Sequence, residues 1–248
     1  MQSDVKAPEP GSGRVLSSAL ACLSLIDTLA DSNEPMSVSE IASIMRSAKS
    51  STHQRLQTLI AANWVEQLPD SRYRLTLRPV HLAGMVLKQA DLGARVLPAM
   101  RALSDETRET VTLYALDGPG PLVIQEVPTD QALKVDVHVG TRMPLDRSAA
   151  GRALAAWATR EEIEQVVNAG GVLPSEDTIS ATRHHGYALQ EGQMFAGMSS
   201  IAVAVSPTAF GSIALAITAP SSRFSLEDLV PPLQKTQQLI RKDIVGGY

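Results

Sequence analysis

Two short helices separated by a tight turn restrict the fold of this chain more than any other feature of its sequence. Residues 36–41 read Met-Ser-Val-Ser-Glu-Ile. There Ser37 can cap the amide of Glu40, and the Glu40 side chain can reach back to the amide of Ser37, which is the capping-box signature of a helix start. The pattern predicts a helix over 38–45.

The second helix of the pair follows after a break of four or five residues. Ser51 and Gln54 repeat the capping spacing, and apolar residues then recur on one helical face. This helix should end at Asn63, because asparagine tolerates the left-handed conformation found at helix ends. Residues 64–75 alternate inward and outward about a Pro-Asp turn, which predicts a short β-hairpin.

An amphipathic helix is predicted before the pair, over 14–30. Its expected buried stripe consists of Leu16, Leu20, Leu23 and Ala30. Three helices followed by a hairpin describe a winged helix-turn-helix, so we assign 14–78 to such a domain. Residues 1–13 hold Gly/Pro clusters without apolar periodicity and are predicted to form a flexible tail.

Positive charge is concentrated in this first domain. The 248 residues carry a formal net charge of -4, yet 46–78 holds six basic residues against two acidic ones. A polyanion would bind at such a zone. In a helix-turn-helix the second helix enters the major groove of DNA. The side chains predicted to contact double-stranded DNA, from that helix and from the wing, are Lys49, Ser50, Ser51, His53, Gln54, Arg55, Arg72 and Arg74.

A protein-binding role for the basic zone stays open at this point. Winged helices also serve as protein-binding modules, and a run of basic residues can be an ordinary solvated face. The salt dependence of the binding affinity distinguishes the two functions, because binding to DNA phosphates weakens steeply as the salt concentration rises. A protein-binding scaffold would not share that dependence.

The second half of the chain has a different pattern. A connecting helix is predicted over 80–100, with 79–96 as the linker between domains. Beyond it, short strands are predicted at 110–114, 122–124, 133–139, 201–205 and 213–217. Helices are predicted at 149–158, 161–167, 176–184 and 226–242. Strands with interspersed helices favour an antiparallel sheet, so 97–248 is predicted to be an α+β domain.

No arrangement of residues typical of an enzyme stands out. The adjacent His184 and His185 would point about 100° apart on a helix and cannot share a metal. The pair Gly170-Gly171 lacks the Lys-Ser/Thr of a phosphate-binding loop. Cys22, the only cysteine, cannot form a disulfide within the chain or a multi-thiolate site. We therefore predict no catalytic residue, metal or cofactor, and keep an enzyme as an alternative function.

The same composition bears on the cellular location. No apolar stretch reaches the ~18 residues needed to span a bilayer, so we predict no membrane partner. The N-terminal residues are polar and acidic, which does not fit a secretory segment. Sparing use of cysteine suits a reducing compartment, and the cytoplasm is the expected location.

Eight short runs, in order along 14–240, carry a resemblance to known proteins. Four lie in the predicted winged helix-turn-helix, at 14–29, 38–42, 51–59 and 72–75, and four in the predicted α+β domain, at 140–145, 148–154, 186–189 and 197–205. The first four resemble the N-terminal domain, and the others the effector-binding domain, of the IclR-type bacterial transcriptional regulators. The resemblance implies a winged helix-turn-helix joined by a linker helix to a GAF-like effector domain. It also implies a homodimer, often a dimer of dimers, whose engagement of operator or RNA polymerase is modulated by a small effector.

The resemblance further implies which residues contact the effector. In relatives that bind small organic acids, the ligand carboxylate lies near backbone amides of the segment matching Ala150 and Gly151. Both would open a predicted helix, where free amides favour an anion. The other implied contacts are Gln190, Met198, Ser200, Ala216 and Thr218. Ordinary packing remains the alternative for each residue taken singly.

Two departures from the family pattern change the expected ligand. Gln190 stands where some acid-binding relatives carry an aspartate, and Ala216 replaces a hydroxyl residue. We therefore expect an effector that differs from small oxoacids and is larger or aromatic. The apolar walls for it would be Met143, Leu145, Leu154, Met194, Phe195 and Met198.

Overall fold

The computed structural model describes residues 16–90, 92–135, 137–208 and 211–245. The chain divides into two compact units, Met1–Met85 and Val86–Tyr248. The predicted flexible tail over 1–13 lies outside the described residues. None of the described helices is long and apolar enough to cross a membrane.

Three helices and a hairpin form the first unit, which confirms the winged helix-turn-helix. Its elements are α1 (Ser17–Ala30), α2 (Val38–Ile44), α3 (Lys49–Ala61), β1 (Val65–Gln67) and β2 (Tyr73–Leu75). The two strands pair antiparallel.

The predicted helix boundaries were right where the signal is local. Ser37 and Glu40 form the expected capping box at the start of α2. Asn63 follows the end of α3 with a φ of 60°, the left-handed conformation expected there. The start of α3 was predicted wrongly, because Ala48 is its N-cap and Ser51 lies inside the helix.

The buried face of α1 also differs from the predicted stripe. Its core residues are Cys22, Leu25, Ile26 and Leu29. The predicted residues Leu16, Leu20 and Leu23 are 67%, 52% and 56% exposed, and Ala30 is exposed as well. Since α1 is apolar on nearly every side, periodicity alone could not show which stripe faces the core.

A fully buried tyrosine joins the wing to the helices. Tyr73 is 1% exposed and packs in one core with Leu25, Ile41 and Leu56. Its backbone exchanges two hydrogen bonds with Met36, at 2.9 and 2.8 Å. The wing is thereby fixed to the segment that leads into α2.

Two helices, and not one, occupy the region of the predicted connecting helix. They are α4 (Arg78–Ala90) and α5 (Leu92–Thr107). The boundary between the two units falls within α4, after Met85.

Five antiparallel strands form the sheet of the second unit, in the order β4-β3-β7-β6-β5. Their bounds are β3 (Thr110–Asp117), β4 (Gly120–Val127), β5 (Ala188–Glu191), β6 (Met198–Thr208) and β7 (Gly211–Pro220). The predicted α+β class with an antiparallel sheet is confirmed.

Helices pack on both faces of this sheet. The helix α5 and the C-terminal helix α9 (Leu226–Val245) pack against a core of bulky aliphatic side chains. The helix α6 (Ala149–Trp157) lies over the opposite face. Two further helices are α7 (Arg160–Asn168) and α8 (Glu176–His185).

The two faces of the sheet differ in side-chain size. Towards α5 and α9 the strands present residues such as Ile201, Leu215 and Ile217. Towards α6 they present Ala188, Ala202, Ala214 and Ala216. Because successive strand residues point to opposite faces, this difference is built into the strand sequences. Small side chains leave room between α6 and the sheet.

Two strand predictions failed. Residues 133–139 form no strand in their described part. Val135 and Val137 are nevertheless buried in the core beneath α6, while Leu133 and Val139 are exposed, so the alternation reflects a covering segment that does not join the sheet. The strand β5 was not predicted, because its four residues are too short to show a period.

Candidate functional site

The outer face of α3 carries most of the predicted DNA contacts. Its exposed members are Lys49, Ser50, His53 and Gln54. Ser51 and Arg55 are half-buried. The opposite side of the helix, with Leu56 and Leu59, lies in the core. The helix is therefore held from behind and presents a polar surface.

The start of α3 is open to an anion. Ala48 offers no side-chain cap, and within residues 16–90 no side chain accepts from the first amides of this helix. The hydroxyl of Ser47 instead contacts that of Thr52, with 2.7 Å between the oxygens. The first amides of a helix have no partner within it and lie at the positive end of its dipole, which suits a phosphate.

Both wing arginines already have partners. Arg72 donates to the carbonyl of Pro35 at 2.7 Å, and its Nη2 lies 3.9 Å from Oε1 of Glu40. Arg74 pairs with Glu66, with 2.7 Å between Nε and Oε1. Hydrogen bonds from the backbone and side chain of Ser37, helped by the charge of Arg72, hold the pKa of Glu40 below its usual value. These carboxylates reduce the positive potential of the wing.

The uncompensated charge lies elsewhere in the basic zone. Among the residues described in the first unit, Arg46, Lys49 and Arg55 have no ion-pair partner. Arg46 has a φ of 48° in the turn between α2 and α3. Arg78 lies over the ring of Trp64, 5.5 Å from its centre, with its charge still available. The positive field is therefore centred on α3 and its turn.

A small cavity lies beneath α6 in the second unit. Its volume is about 20 Å³, room for one water molecule. The described lining residues are Tyr114, Val135, Val137, Met143, Ser148, Ala149, Ala150, Gln190, Met194, Phe195, Ser200, Ala216 and Thr218. Among the effector contacts that the family resemblance implied, the lining includes Ala150, Gln190, Ser200, Ala216 and Thr218.

Three polar side chains of the lining sit side by side on the sheet. Gln190 of β5 is paired with Ser200 of β6, and Ser200 is paired with Thr218 of β7. The hydroxyl oxygens of Ser200 and Thr218 are 2.9 Å apart. The carboxamide of Gln190, turned with its oxygen towards the following loop, accepts hydrogen bonds from three backbone amides. The sheet thus supplies a row of hydrogen-bonding groups to the cavity.

The start of α6 supplies backbone amides. Ser148 is its N-cap, and the amide of Gly151 donates to the Ser148 hydroxyl at 3.0 Å. The expectation of a free Gly151 amide is therefore wrong, and Gly151 is not among the described lining residues. Ala149 and Ala150 do line the cavity. Met198 is also absent from that lining and is buried in the core beneath α6.

Sequence reasoning missed several lining residues. Ser148 could have been found as a cap at the start of a predicted helix, and Tyr114 by its position in an alternating strand. Val135 and Val137 were placed in a strand, which hid their role as a cover. Predicted walls Leu145 and Leu154 are buried but are not in the described lining.

The described lining carries no charged side chain. Burial raises the pKa of Tyr114 to about 12, so its hydroxyl stays neutral. In the part of the chain that the structure describes, no group of three or more His, Cys, Asp or Glu could hold a metal. Recognition in this cavity would rest on hydrogen bonds, helix-terminal amides and apolar contact.

Two family models match the chain along most of its length. Residues 22–69 match the IclR helix-turn-helix domain, and residues 84–242 match the C-terminal domain of the bacterial transcriptional regulator IclR. The chain belongs to the IclR family. This IclR-family protein is a DNA-binding transcriptional regulator, as its sequence predicted, and the enzyme alternative is set aside.

Curated relatives of this IclR-family regulator span similar lengths. It is 31% identical over 228 residues to the HTH-type transcriptional regulator KdgR of Escherichia coli, a match that covers 86% of each chain. It is 25% identical to the acetate operon repressor of Salmonella typhimurium, over 91% of this chain and 88% of the repressor.

Solved structures share the fold. An IclR family transcriptional regulator from Brucella abortus superposes with a TM-score of 0.80 and 18% identity, over 93% of each chain. An IclR homolog from Microbacterium hydrocarbonoxydans, complexed with 4-hydroxybenzoate, superposes with a TM-score of 0.75 and 22% identity. That match covers 93% of this chain and all of the homolog.

Proposed function

We propose that this regulator reads its operator with α3 and responds to a small organic acid held beneath α6. In this proposal residues 14–78 bind DNA, 79–96 link the domains, and 97–248 form the GAF-like sensor. The amides and Ser50 and Ser51 at the start of α3 would hold a phosphate. Gln54 and Arg55 would contact base edges, as their side chains suit adenine and guanine.

The row formed by Gln190, Ser200 and Thr218 beside the start of α6 carries the effector proposal. The hydroxyls donate to an acceptor, and the amides of Ala149 and Ala150 favour an anion at the positive end of the helix dipole. The apolar side chains of the lining would pack against an aromatic ring of the effector. The complex of an IclR homolog with 4-hydroxybenzoate supports the choice of aromatic acids as first probes.

An aromatic or aliphatic acid that fits the cavity should change the affinity for operator DNA by about 5 to 150-fold. Mobility shift on the protein's own upstream DNA, with a panel of such acids, measures this. Replacing Ser200 by alanine and Thr218 by valine together should raise the acid concentration needed by about 5 to 150-fold, because the acid then makes up to two fewer hydrogen bonds, each worth about 0.5–1.5 kcal/mol. The control Thr236→Val removes a buried hydroxyl of α9, away from the cavity. An unchanged response in the double variant would count against this pocket.

A homodimer belongs to the same proposal. The exposed Leu16, Leu20 and Leu23 are spaced four and three residues apart, which is the seam pattern of paired helices. The helix α4 also exposes Val80 and Met85. An apolar surface of this kind marks an interaction site, and a second copy would place two copies of α3 on two half-sites. A dimer of dimers, RNA polymerase as a partner and a cytoplasmic location complete the proposal.

The double variant Leu20→Glu/Leu23→Glu should therefore be monomeric, because it places charge in the proposed apolar seam. Light scattering coupled to size exclusion gives the mass, and operator affinity should fall with it. The matched control is Ser17→Glu/Ser24→Glu, which adds the same charges at exposed serines of α1. An unchanged dimer mass in the leucine variant would reject α1 as the interface.

A further inference from the structure

The cavity beneath α6 is too small for any organic effector as it stands. Its volume of about 20 Å³ compares with roughly 300–1,000 Å³ for typical ligand pockets. A wall must therefore move before a ligand of even ring size can enter. The strand residues cannot supply that movement, since β6 and β7 are hydrogen-bonded on both sides.

Two irregular segments cover the cavity, and they are held differently. The segment that carries Val135 and Val137 is tied to the sheet domain by Arg223, which donates to the Leu133 carbonyl and pairs with the buried Glu109 at 2.8 Å. The other cover is the loop Gly192–Gly197, which contributes Met194 and Phe195 to the lining.

The loop Gly192–Gly197 has the features of a hinged cover. Gly192 and Gly197 at its ends have φ values of 66° and 76°, and no atom lies within 4 Å of a Cβ built at either. Phe195 is 42% exposed although it belongs to the cavity lining. Between the two glycines, no described residue belongs to a helix or strand. Such backbone can rotate without unpacking the core.

Backbone hydrogen bonds close the two ends of this loop, from the Gly192 amide to the Met198 carbonyl at 2.9 Å and from the Ser221 amide to the Gly197 carbonyl at 2.8 Å. Between these ends, two side chains hold the loop against the cavity. The carboxamide oxygen of Gln190 accepts from the amides of Gly192, Gln193 and Met194, at 3.0, 2.6 and 3.1 Å. Arg152 donates to Oε1 of Gln193 at 2.5 Å, and to the Leu189 carbonyl at 2.5 Å. Gln190 is 2% exposed, so it is fixed by the sheet and holds the loop from beneath.

We propose that the loop Gly192–Gly197 is the entrance to the effector cavity and that Gln190 is the positioning residue that keeps it shut. Gln190 touches both the cavity and the loop amides. A ligand hydroxyl that donates to the carboxamide oxygen competes with those amides, so occupancy of the cavity and position of the loop are coupled. The proposal rests on the effector function proposed above, but its test does not require the natural effector.

The test measures access to a cysteine placed in the cavity. Ala216→Cys in a Cys22→Ser background gives the full-length protein one thiol, buried in the lining. Gln190→Leu removes the accepting oxygen at similar side-chain size and should raise the rate of modification by a thiol reagent by about 10 to 100-fold. Gln190→Glu keeps an oxygen for the three amides and should leave the rate within about twofold of the parent.

Hydrogen exchange in the same proteins locates the opening. In Gln190→Leu the amides of Gln193 and Met194 should exchange faster, and those of 133–139 should keep the parent rate. Gln193→Ala removes only the hydrogen bond with Arg152 and should raise thiol modification about threefold, which serves as the test if Gln190→Leu does not fold.

Unchanged thiol modification in both Gln190→Leu and Gln193→Ala would overturn the proposal. Faster exchange at 133–139 in place of Gln193 and Met194 would overturn it too, because the other cover would then be the entrance. A panel of acids that includes 4-hydroxybenzoate is tested separately on the parent. If no acid changes the operator affinity, the proposed effector class is wrong. The thiol-modification rates would still show whether the loop Gly192–Gly197 is the entrance.

Discussion

Replacing Gln54 and Arg55 together by alanine is expected to lower the affinity for the specific operator by at least about 100-fold, since each good base contact is worth roughly 1–3 kcal/mol. In a dimer both copies of α3 lack these side chains. Binding to random DNA should weaken much less, because the charges of Arg46, Lys49 and Arg78 remain. Fluorescence anisotropy on the protein's upstream DNA and on a scrambled duplex measures both affinities.

The single variants separate the reading of bases from the electrostatic attraction to phosphates. Gln54 carries no charge, so Gln54→Ala should relax the base preference at one position of each half-site and leave the salt slope unchanged. Arg55→Ala should relax the preference at a second base position and, because it also removes a positive charge from the DNA-facing helix, make the slope of log K against log salt shallower by about 1 for each copy of α3. If a dimer contacts about 8 phosphates, the parent slope is roughly -7.

A matched control carries the same changes away from α3. Arg101→Ala with Gln165→Ala removes one exposed arginine and one exposed glutamine from the second unit. That variant should bind operator and scrambled DNA like the parent. Full operator affinity in the Gln54/Arg55 variant would reject α3 as the helix that reads the operator.

Local signals explain why much of the first unit could be predicted. The capping box at Ser37 and Glu40 involves residues three apart, and Asn63 marks a helix end by its own backbone preference. These features need no knowledge of the rest of the fold. The start of α3 was predicted wrongly because Ser51 and Gln54 have the spacing of a capping box. In the structure α3 begins at Lys49, and its N-cap Ala48 provides no side-chain hydrogen bond.

Tertiary contacts explain what the sequence could not show. Arg72 was predicted to contact DNA from its position in the wing. The sequence could not show its hydrogen bond to the carbonyl of Pro35, 37 residues earlier, because only the wing's position against α2 joins the two. Likewise, Leu20 and Leu25 of α1 are equally apolar, and which one is buried depends on the neighbouring helices. The type of a side chain shows whether it can be buried or can form an ion pair. Which side chains do so depends on the packing of the folded chain.

In the candidate pocket, too, some residues could be predicted from the sequence and others only from the fold. Ser200 and Thr218 could be proposed from the family resemblance, and strand register then places them in contact. Gly151 could not be judged from the sequence, since a glycine at a helix start suits either an anion or a close backbone neighbour. The structure places it against the backbone of Leu145.

Gly151→Ala is expected to destabilise the second unit by about 3 kcal/mol or more, because overpacking against rigid backbone is costly. A Cβ built on Gly151 lies 2.5 Å from Cα of Leu145 and 2.7 Å from its carbonyl carbon. Leu145 is itself 1% exposed, so neither side can yield easily. The start of α6 would have to shift, and with it Ala149 and Ala150 in the cavity wall.

At a second helical glycine, replacement by alanine is expected to stabilise the protein. Gly84 lies within α4, and no atom is found within 4 Å of a Cβ built there. Gly84→Ala should therefore stabilise the first unit by roughly 0.4–1 kcal/mol, because alanine restricts the unfolded chain and favours the helix. The two variants make the same chemical change in helices and differ only in the space around the new methyl group.

Differential scanning calorimetry can follow the two variants side by side. For the larger second unit, about 3 kcal/mol corresponds to an unfolding midpoint lowered by roughly 6–12 °C in Gly151→Ala. For the smaller first unit, the gain from Gly84→Ala corresponds to a midpoint raised by roughly 2–8 °C. The response to an acid effector should weaken in Gly151→Ala even below its unfolding midpoint, because the amides at the start of α6 are displaced. A Gly151→Ala protein with the parent midpoint and an unaltered acid response would show that α6 does not depend on close contact with Leu145.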